Sequence, residues 1–156
     1  MPKLSTVRNI VAGRELDDKI KEGVEKIYNV ALASYGVNSG NVMIEHRYGE
    51  PLVSHDGITN VGKLVVEDPV ENMVVSLVRQ ASEKTNRDAG DATTLTVILS
   101  KVAYEFWLSK HQFFTPRQIQ KQIDDVIAKV LNYIKENKHD TTDELLRGVS
   151  RISAGD

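Results

Sequence analysis

The sequence predicts a mainly α-helical protein with one small β-hairpin. Most of the 156 residues lie in segments whose apolar residues recur every three or four positions, the spacing of one helical face. Only the stretch 41–54 has β-branched and apolar residues on both sides of a turn, which is typical of a short hairpin. Proline stands at 69 and 116, where two helices are expected to begin. Together these observations indicate mostly helix with a small sheet.

The first helix is predicted over 14–34, and Gly36 fits its end. The hairpin follows, with its turn at 48–51, and the next turn leads into a short helix around 58–65. The apolar face of the first helix consists of Leu16, Ile20, Val24, Ile27, Tyr28 and Ala31.

Asp68 followed by Pro69 supplies an N-cap and a first-turn proline for a long helix, which is predicted to end near Thr85. Its apolar residues cover a wide face, so this helix is expected to be buried. The segment 94–108 is predicted to be a strongly apolar central helix. Two large residues of these helices are predicted to lie in the core, Met73 and Trp107.

The remaining chain predicts an amphipathic helix over 116–137, a polar hinge at 138–142 and one or two helical turns at 143–150. Several helices are more apolar than a bundle of this size requires. Either partners or further chain should therefore cover the surplus apolar faces.

Composition excludes several classes of protein. The chain is 40% hydrophobic and 27% charged, as in an ordinary soluble globular protein, and its formal net charge is −2. This charge gives no general electrostatic attraction for nucleic acid or an anionic membrane. Cysteine is absent, so disulfides and thiolate-bound metals are excluded. With no apolar segment near the 20 or so residues that span a bilayer, we expect a cytoplasmic protein.

The segment 88–94 places two hydroxyls and a run of backbone N–H groups at the start of a helix, an arrangement that favours anions. Asp91 would repel a phosphate unless a cation such as Mg²⁺ lay between them. The alternative, that Asp91 only caps the helix, stays open at this point. The segment has the sequence Asp88-Ala89-Gly90-Asp91-Ala92-Thr93-Thr94.

Two other loops are weaker candidates. The turn at 34–41 is either a backbone nest for phosphate or a plain connection, and 54–57 offers a carboxylate and a cation but is by itself only a turn. Standard nucleotide signatures and metal-binding histidine spacings are absent from the sequence.

Taken in order, however, these segments resemble group I (GroEL-type) chaperonins along essentially the whole chain. The most specific pieces follow the patterns E-D-x-x-E-N-M and A-G-D-x-T-T. The segments that carry the resemblance are Tyr48-Gly-Glu-Pro, Ser54-His-Asp-Gly-Ile-Thr, Glu67-Asp-Pro-Val-Glu-Asn-Met73, Ala81-Ser-Glu-Lys-Thr-Asn86, Ala89-Gly-Asp-Ala-Thr-Thr94 and Val149-Ser-Arg-Ile-Ser-Ala154.

The resemblance implies an equatorial-domain helical bundle with a small β-hairpin. Residues 1–138 are expected to form the first segment of this ATP-binding domain, and 139–156 the start of the intermediate domain. The bundle would be incomplete without the second equatorial segment, which comes from the C-terminal part of a family chain. That missing segment would account for the surplus apolar faces.

The resemblance also implies ATP and Mg²⁺ as cofactors. Asp91 matches the magnesium ligand, and Asp56 matches an aspartate of the family, which we assign as the candidate catalytic residue. The expected ATP-binding positions are Ser34, Tyr35, Gly36, Val37, His55, Asp56, Asp91, Ala92, Thr93, Thr94 and Leu95.

Six of these positions depart from the family pattern, and two of them, Ser34 for threonine and Tyr35 for leucine, lie in the first loop. In the other four, His55 replaces a lysine, Val37 a proline, Ala92 a glycine and Leu95 a threonine. An alanine in place of the glycine is costly if the position needs a positive φ or a close approach of the backbone. These departures put nucleotide binding in question.

The expected function is that of a segment of an ATP-dependent chaperonin subunit, which assists protein folding in a ring-shaped chamber. Its expected partners are other subunits of a homo-oligomeric double ring, with unfolded proteins and a co-chaperonin bound through regions outside this sequence. The family is an ATPase, but this chain alone is expected to respond weakly to nucleotide and not to hydrolyse it. One alternative is a naturally short, non-enzymatic interaction module with a degenerate ATP site; another is a helical protein whose anion site is unrelated to folding.

Overall fold

The computed structural model describes residues 10–37, 39–45 and 49–154. These residues confirm the predicted class, with helices dominating and one two-stranded sheet. The elements are α1 (Arg14–Ala33), β1 (Val42–Ile44), β2 (Leu52–Ser54), α2 (Gly57–Lys63), α3 (Pro69–Ala89), α4 (Thr93–Lys110), α5 (Pro116–Glu136) and α6 (Asp143–Ala154). The strands pair antiparallel with Met43 opposite Val53, and the predicted hairpin turn includes Tyr48, which lies outside the described residues.

Several helix boundaries differ from the predicted ones, including the end of α4, which lies at Lys110 and not at Leu108. Helix α3 continues past Thr85 to Ala89, because Gly90 ends it in the left-handed conformation (φ +74°) and its N–H donates to the carbonyl of Asn86 at 2.9 Å. Helix α2 ends at Lys63, where Leu64 turns to extended backbone. Helix α6 extends through Ala154 rather than stopping at Ser150.

The chain divides into two compact units, 1–108 and 109–156. In the first, α1 packs along α3, and the core comprises Ile27, Ala31, Val61, Val75 and Val97. The buried face of α1 is the predicted one. The assignment of 1–138 and 139–156 to two domains of a longer family chain is a separate matter and stays a prediction.

The second unit begins with a capping box. Thr115 accepts a hydrogen bond from the backbone of Gln118, and the Gln118 side chain accepts from the N–H of Thr115, which fixes the start of α5. Apolar residues of α5 and α6 are largely exposed: Val126, Ile127, Val130, Leu131, Ile134, Leu145, Leu146, Val149 and Ile152. The predicted surplus of apolar surface is therefore present.

Helix α3 is less buried than predicted. Val70 and Val75 are buried, but Met73 is 57% exposed and Leu77 is also exposed, so the prediction that Met73 lies in the core was wrong. The apolar face of α3 is wider than the surface that α1 and α2 cover. Trp107 is half-buried and stacks on Tyr104 at 6.2 Å between ring centroids. No helix in the described part of the chain is long and apolar enough to cross a bilayer.

Ion pairs join α1 to the N-terminal turn of α3. Lys19 donates to Asp68, and Lys26 pairs with Glu71, whose side chain is almost fully buried. Asp68 also accepts from the N–H groups of Val70 and Glu71 at 2.9 and 3.1 Å, as an N-cap does. The hydrogen bond from Lys19, and after it the backbone hydrogen bond from Glu71, hold the pKa of Asp68 below its ordinary value.

This pKa predicts a loss of stability in acid. A carboxyl whose pKa is lower in the folded than in the unfolded chain stabilises the folded chain at pH values above its pKa in the unfolded chain, which is about 3.9 for aspartate. This contribution is lost as the pH falls through the pKa of the folded chain. We expect Asp68→Asn, which keeps an N-cap acceptor, to be less stable than the original chain at pH 7 but to lose less stability between pH 5 and 2. Urea unfolding across this range measures the difference, and an equal difference at every pH would contradict the assignment.

Asn60 is an unsatisfied polar residue in the core. Its side chain is on α2, the residue is 2% exposed, and neither Oδ1 nor Nδ2 has a hydrogen-bond partner among the described residues. Leucine has the same branched shape without polar atoms, so we expect Asn60→Leu to raise the free energy of unfolding by about 1–2 kcal/mol. Chemical denaturation measures this change.

Asn72 provides the matched control for that substitution. Its Oδ1 accepts from the N–H of Val66 at 3.2 Å, so Asn72→Leu removes a hydrogen bond and should be destabilising. If both leucine variants were stabilised equally, the effect would reflect added apolar volume and not the unpaired amide of Asn60.

Candidate functional site

Three loops that are distant in the sequence converge at Gly57, the first residue of α2. A Cβ atom built on Gly57 would lie 2.0 Å from Oγ1 of Thr94 and 3.4 Å from Oγ of Ser34. Ser34 follows α1, and Thr94 is in the first turn of α4. The structure thus brings together residues from all three predicted loops, and only glycine fits between them.

The first loop is the exit of α1. The N–H and the hydroxyl of Ser34 both donate to the carbonyl of Ala31 at 3.2 Å, and Gly36 takes a left-handed conformation (φ +88°). Tyr35 and Val37 are exposed. The next residue, Asn38, lies outside the described residues. This loop therefore contributes the Ser34 hydroxyl to the convergence point.

The second loop carries the candidate catalytic residue Asp56. Its Oδ2 accepts from the N–H of Thr59 at 3.0 Å and from the Thr59 hydroxyl at 2.5 Å, which makes Asp56 the N-cap of α2. His55 is exposed beside it, and Oγ of Ser54 accepts from the N–H of Asp56 at 3.1 Å. Asp56 thus has a structural role, and a catalytic role for it stays a prediction.

The third loop, 90–92, joins α3 to α4. Oδ1 of Asp91 accepts from the N–H of the adjacent Ala92 at 2.5 Å, not from an amide of the helix, so the simple helix-cap alternative for Asp91 is not observed. Its other oxygen, Oδ2, has no hydrogen bond or ion pair to a described residue. Asp91 is exposed and able to take a further ligand.

The first turn of α4 has donor groups that suit an anion. The first intrahelical bond runs from the N–H of Thr96 to the carbonyl of Ala92, so Thr93, Thr94 and Leu95 have backbone N–H groups with no helical acceptor. Such groups, with the helix dipole, attract a phosphate. The residues present fit a phosphate with a metal at Asp91, while the exposed apolar side chain of Leu95 contributes no hydrogen bond.

Ala92 has a positive φ of 64°. The sequence left open whether this position needs such a conformation, and the structure shows that it does. A left-handed conformation costs a residue with a Cβ about 1–2 kcal/mol relative to its preferred one, and glycine escapes most of that cost. Where the resemblance implies a glycine, this chain therefore has a strained alanine.

We expect Ala92→Gly to raise the free energy of unfolding by about 1 kcal/mol, because relief of strain outweighs the added freedom of the unfolded chain. Thermal or urea unfolding measures the change. Ala89→Gly, three residues earlier in α3, should destabilise instead, since glycine in a helix costs up to about 1 kcal/mol. Destabilisation in both variants would show that the strain at Ala92 is absent.

Sequence reasoning missed three contributors to this geometry. Gly57 was noticed only as part of a turn, and the Ser82 and Thr96 hydroxyls were not singled out. Ser82 donates to the carbonyl of Thr93, and Thr96 bonds to Thr85 at 3.0 Å, so both tie α3 to the start of α4. The only signal for Ser82 in the sequence is a small polar residue on a helix that is otherwise predicted to be buried.

Within the described residues, no group of three or more acidic or histidine side chains could hold a metal ion. A cation at Asp91 would therefore depend on phosphate oxygens and water for most of its ligands, which is the usual situation for Mg²⁺ bound with a nucleotide.

Comparisons with solved structures show the fold. The chaperonin gp146 of bacteriophage EL 2 (Pseudomonas aeruginosa), crystallised in the presence of ATP-BeFx, matches 94% of this chain with a TM-score of 0.74 at 21% identity. A group III chaperonin in the open state matches 82% with a TM-score of 0.67 at 19% identity. The matches cover 29% and 25% of those chains.

Curated relatives match at higher identity. Chaperonin 60 subunit beta 2, chloroplastic, of Arabidopsis thaliana is 34% identical over 88% of this chain. The RuBisCO large subunit-binding protein subunit beta, chloroplastic, of Pisum sativum is 33% identical over the same share. This chain spans 23% of the length of each. Because the profile of the TCP-1/cpn60 chaperonin family also matches residues 27–155, this chain belongs to the TCP-1/cpn60 chaperonin family.

Proposed function

We propose that this chain is a segment of an ATP-dependent chaperonin subunit and that it holds the phosphates and Mg²⁺ of the nucleotide. The convergence of three loops at Gly57 carries this proposal, because it joins the anion-binding turn of α4 to the loops after α1 and before α2. The parent protein would assist folding in a ring-shaped chamber, with further subunits, unfolded proteins and a co-chaperonin as partners. Its proposed location is the cytoplasm.

Each loop has a role in this proposal. The N–H groups and hydroxyls of Thr93 and Thr94 would bind phosphate oxygens, and Asp91 would bind Mg²⁺ through its carboxylate. Ser34 and the neighbouring backbone would complete the phosphate contacts, and the His55 ring would supply a hydrogen-bond donor. When bound, Mg²⁺ neutralises phosphate charge beside the carboxylate. Hydrolysis by this chain alone is not expected, since phosphoryl transfer depends on complete positioning.

The exposed apolar faces support the view that a complete subunit contains more chain. Nine apolar residues of α5 and α6 are between 49% and 81% exposed, and α3 exposes Met73 and Leu77. Apolar surface on this scale marks an interaction site. We propose that the remaining equatorial segment of the parent subunit covers it.

The test is a ¹⁵N NMR titration of the chain with ADP, with and without Mg²⁺. We expect weak binding at millimolar ADP, with shifts confined to the three loops and enhanced by Mg²⁺. In Asp91→Ala the enhancement by Mg²⁺ should disappear. Shifts outside the loops, or an enhancement that survives Asp91→Ala, would overturn the assignment.

A second candidate is favoured by the strained Ala92 and the exposed Leu95: a naturally short interaction module whose nucleotide site has degenerated. Such a module would assemble with itself or with full-length subunits through the apolar faces. The native mass of the polypeptide in source cells distinguishes the two, because a band at about 17 kDa favours the module and a band several times larger favours the subunit segment.

A further inference from the structure

We infer that Ser82 and Arg79 of α3 are positioning residues, which set the distance between the second and third loops of the proposed site. This inference rests on the proposed function. The two side chains are three residues apart on one helix, and each is hydrogen-bonded to the backbone of a different helix. Through these two hydrogen bonds, helix α3 connects the end of α2 to the start of α4.

Ser82 holds the start of α4. It is 1% exposed, and its hydroxyl donates to the carbonyl of Thr93 at 3.0 Å. Serine inside a helix usually bonds to a carbonyl of its own helix, as Ser100 does with Thr96 at 2.7 Å. Ser82 instead bonds to the first residue of the next helix, which is the residue whose N–H group begins the anion-binding turn.

Arg79 holds the end of α2. Its Nη1 donates to the carbonyl of Gly62 at 2.9 Å, and its Nη2 donates to Oγ of Ser76 at 3.1 Å, so the guanidinium is fixed by two bonds. Gly62 is five residues after Gly57 in the seven-residue helix α2. Because a helix this short moves as one piece, a bond at its end also orients Gly57 at its beginning.

The packing of α2 against α3 is incomplete beside these two bonds. A cavity of about 280 Å³ lies between α2 and α3, lined by Ile58, Thr59, Val61, Gly62, Arg79, Ser82 and Glu83. A cavity removes dispersion contacts between the residues that line it. The two directional bonds therefore carry more of the restraint here than they would in a close-packed interface. Without them, we expect the contact between Gly57 and Thr94 to loosen.

The experiment compares Ser82→Ala with its matched control Ser100→Ala, which loses a serine hydroxyl bond within α4 alone. Arg79→Met is a third variant that keeps most of the side-chain length but no donor. The Kd for ADP with Mg²⁺ is measured by NMR titration of each full chain, and exchange of the Thr96 amide is measured without nucleotide.

For Ser82→Ala we expect Thr96 amide exchange to rise about fivefold, the effect of one lost net hydrogen bond, and the Kd to rise by a similar factor or more. Arg79→Met should raise the Kd in the same direction, while Ser100→Ala leaves it within about twofold of the original. Unchanged affinity in both Ser82→Ala and Arg79→Met, or an equal loss in Ser100→Ala, would overturn the positioning role. If the original chain shows no response to ADP, the proposed function fails. The restraint by Ser82 is tested independently of ADP, because unchanged Thr96 amide exchange in Ser82→Ala would refute it.

Discussion

Gly57→Ala should lower the free energy of unfolding by about 2–3 kcal/mol and abolish the magnesium-dependent response to ADP, because the added methyl overpacks the point where the three loops meet. The new Cβ would lie 2.0 Å from Oγ1 and 3.2 Å from Cβ of Thr94, distances at which one of the loops must move. Thr94 is on the first turn of α4, so the movement would displace the groups that bind phosphate. Urea unfolding and an ADP titration measure the two effects.

Gly62→Ala is the matched control for this prediction. It makes the same change in the same helix, but a Cβ there has no neighbouring atom within 4 Å. Alanine is the better helix former, so this variant should be stabilised by about 0.5–1 kcal/mol. A similar loss of stability in both variants would mean that contact with Thr94 is not the cause.

A double variant isolates the contact itself. Thr94→Ala removes Oγ1 and leaves Cβ, which raises the closest approach to a Cβ on Gly57 from 2.0 to 3.2 Å. We therefore expect Gly57→Ala with Thr94→Ala to be more stable than the sum of the single effects predicts. Strict additivity would argue against direct overlap between the two side chains.

The helices were predictable because each follows from a local signal. Apolar periodicity placed the buried face of α1, and proline after a capping residue placed the starts of α3 and α5. The end of α3 was missed because Asn86 to Ala89 contribute no apolar periodicity, and a left-handed glycine decides where that helix stops. Met73 was misplaced because periodicity shows which residues share a face, but not how much of that face a neighbour covers.

The candidate site was predictable only in pieces. Each loop has a local composition that suits anions or turns, and the order of the loops resembles a known family. Their convergence depends on contacts between Ser34, Gly57 and Thr94, which are more than 20 residues apart in sequence, and no local pattern encodes such contacts. The strain at Ala92 is a backbone angle that sequence cannot give, and the restraint by Ser82 depends on the crossing of two helices.

Restoring the family pattern should convert a weak response to nucleotide into a strong one. The restored variant combines three substitutions. Ala92→Gly relaxes the backbone of the third loop, and Leu95→Thr replaces an exposed apolar side chain in the first turn of α4 with a hydroxyl. His55→Lys places a permanent cation beside Asp56. We expect the Kd for ADP with Mg²⁺ to fall at least tenfold. At 100 times its Kd, nucleotide should then stabilise the chain by about 2.7 kcal/mol, which thermal unfolding detects.

Adding Asp91→Ala to the restored variant tests whether that gain depends on the proposed metal ligand. The quadruple variant keeps the relaxed backbone and the new donors, so any magnesium-dependent stabilisation that remains would have to come from another group. If the restored variant binds no better than the original chain, three repaired loop positions are not sufficient for a site, and the interaction module becomes the better explanation of this chain. If it binds and loses its dependence on Mg²⁺ only with Asp91→Ala, the loops still form a nucleotide site that these substitutions had weakened.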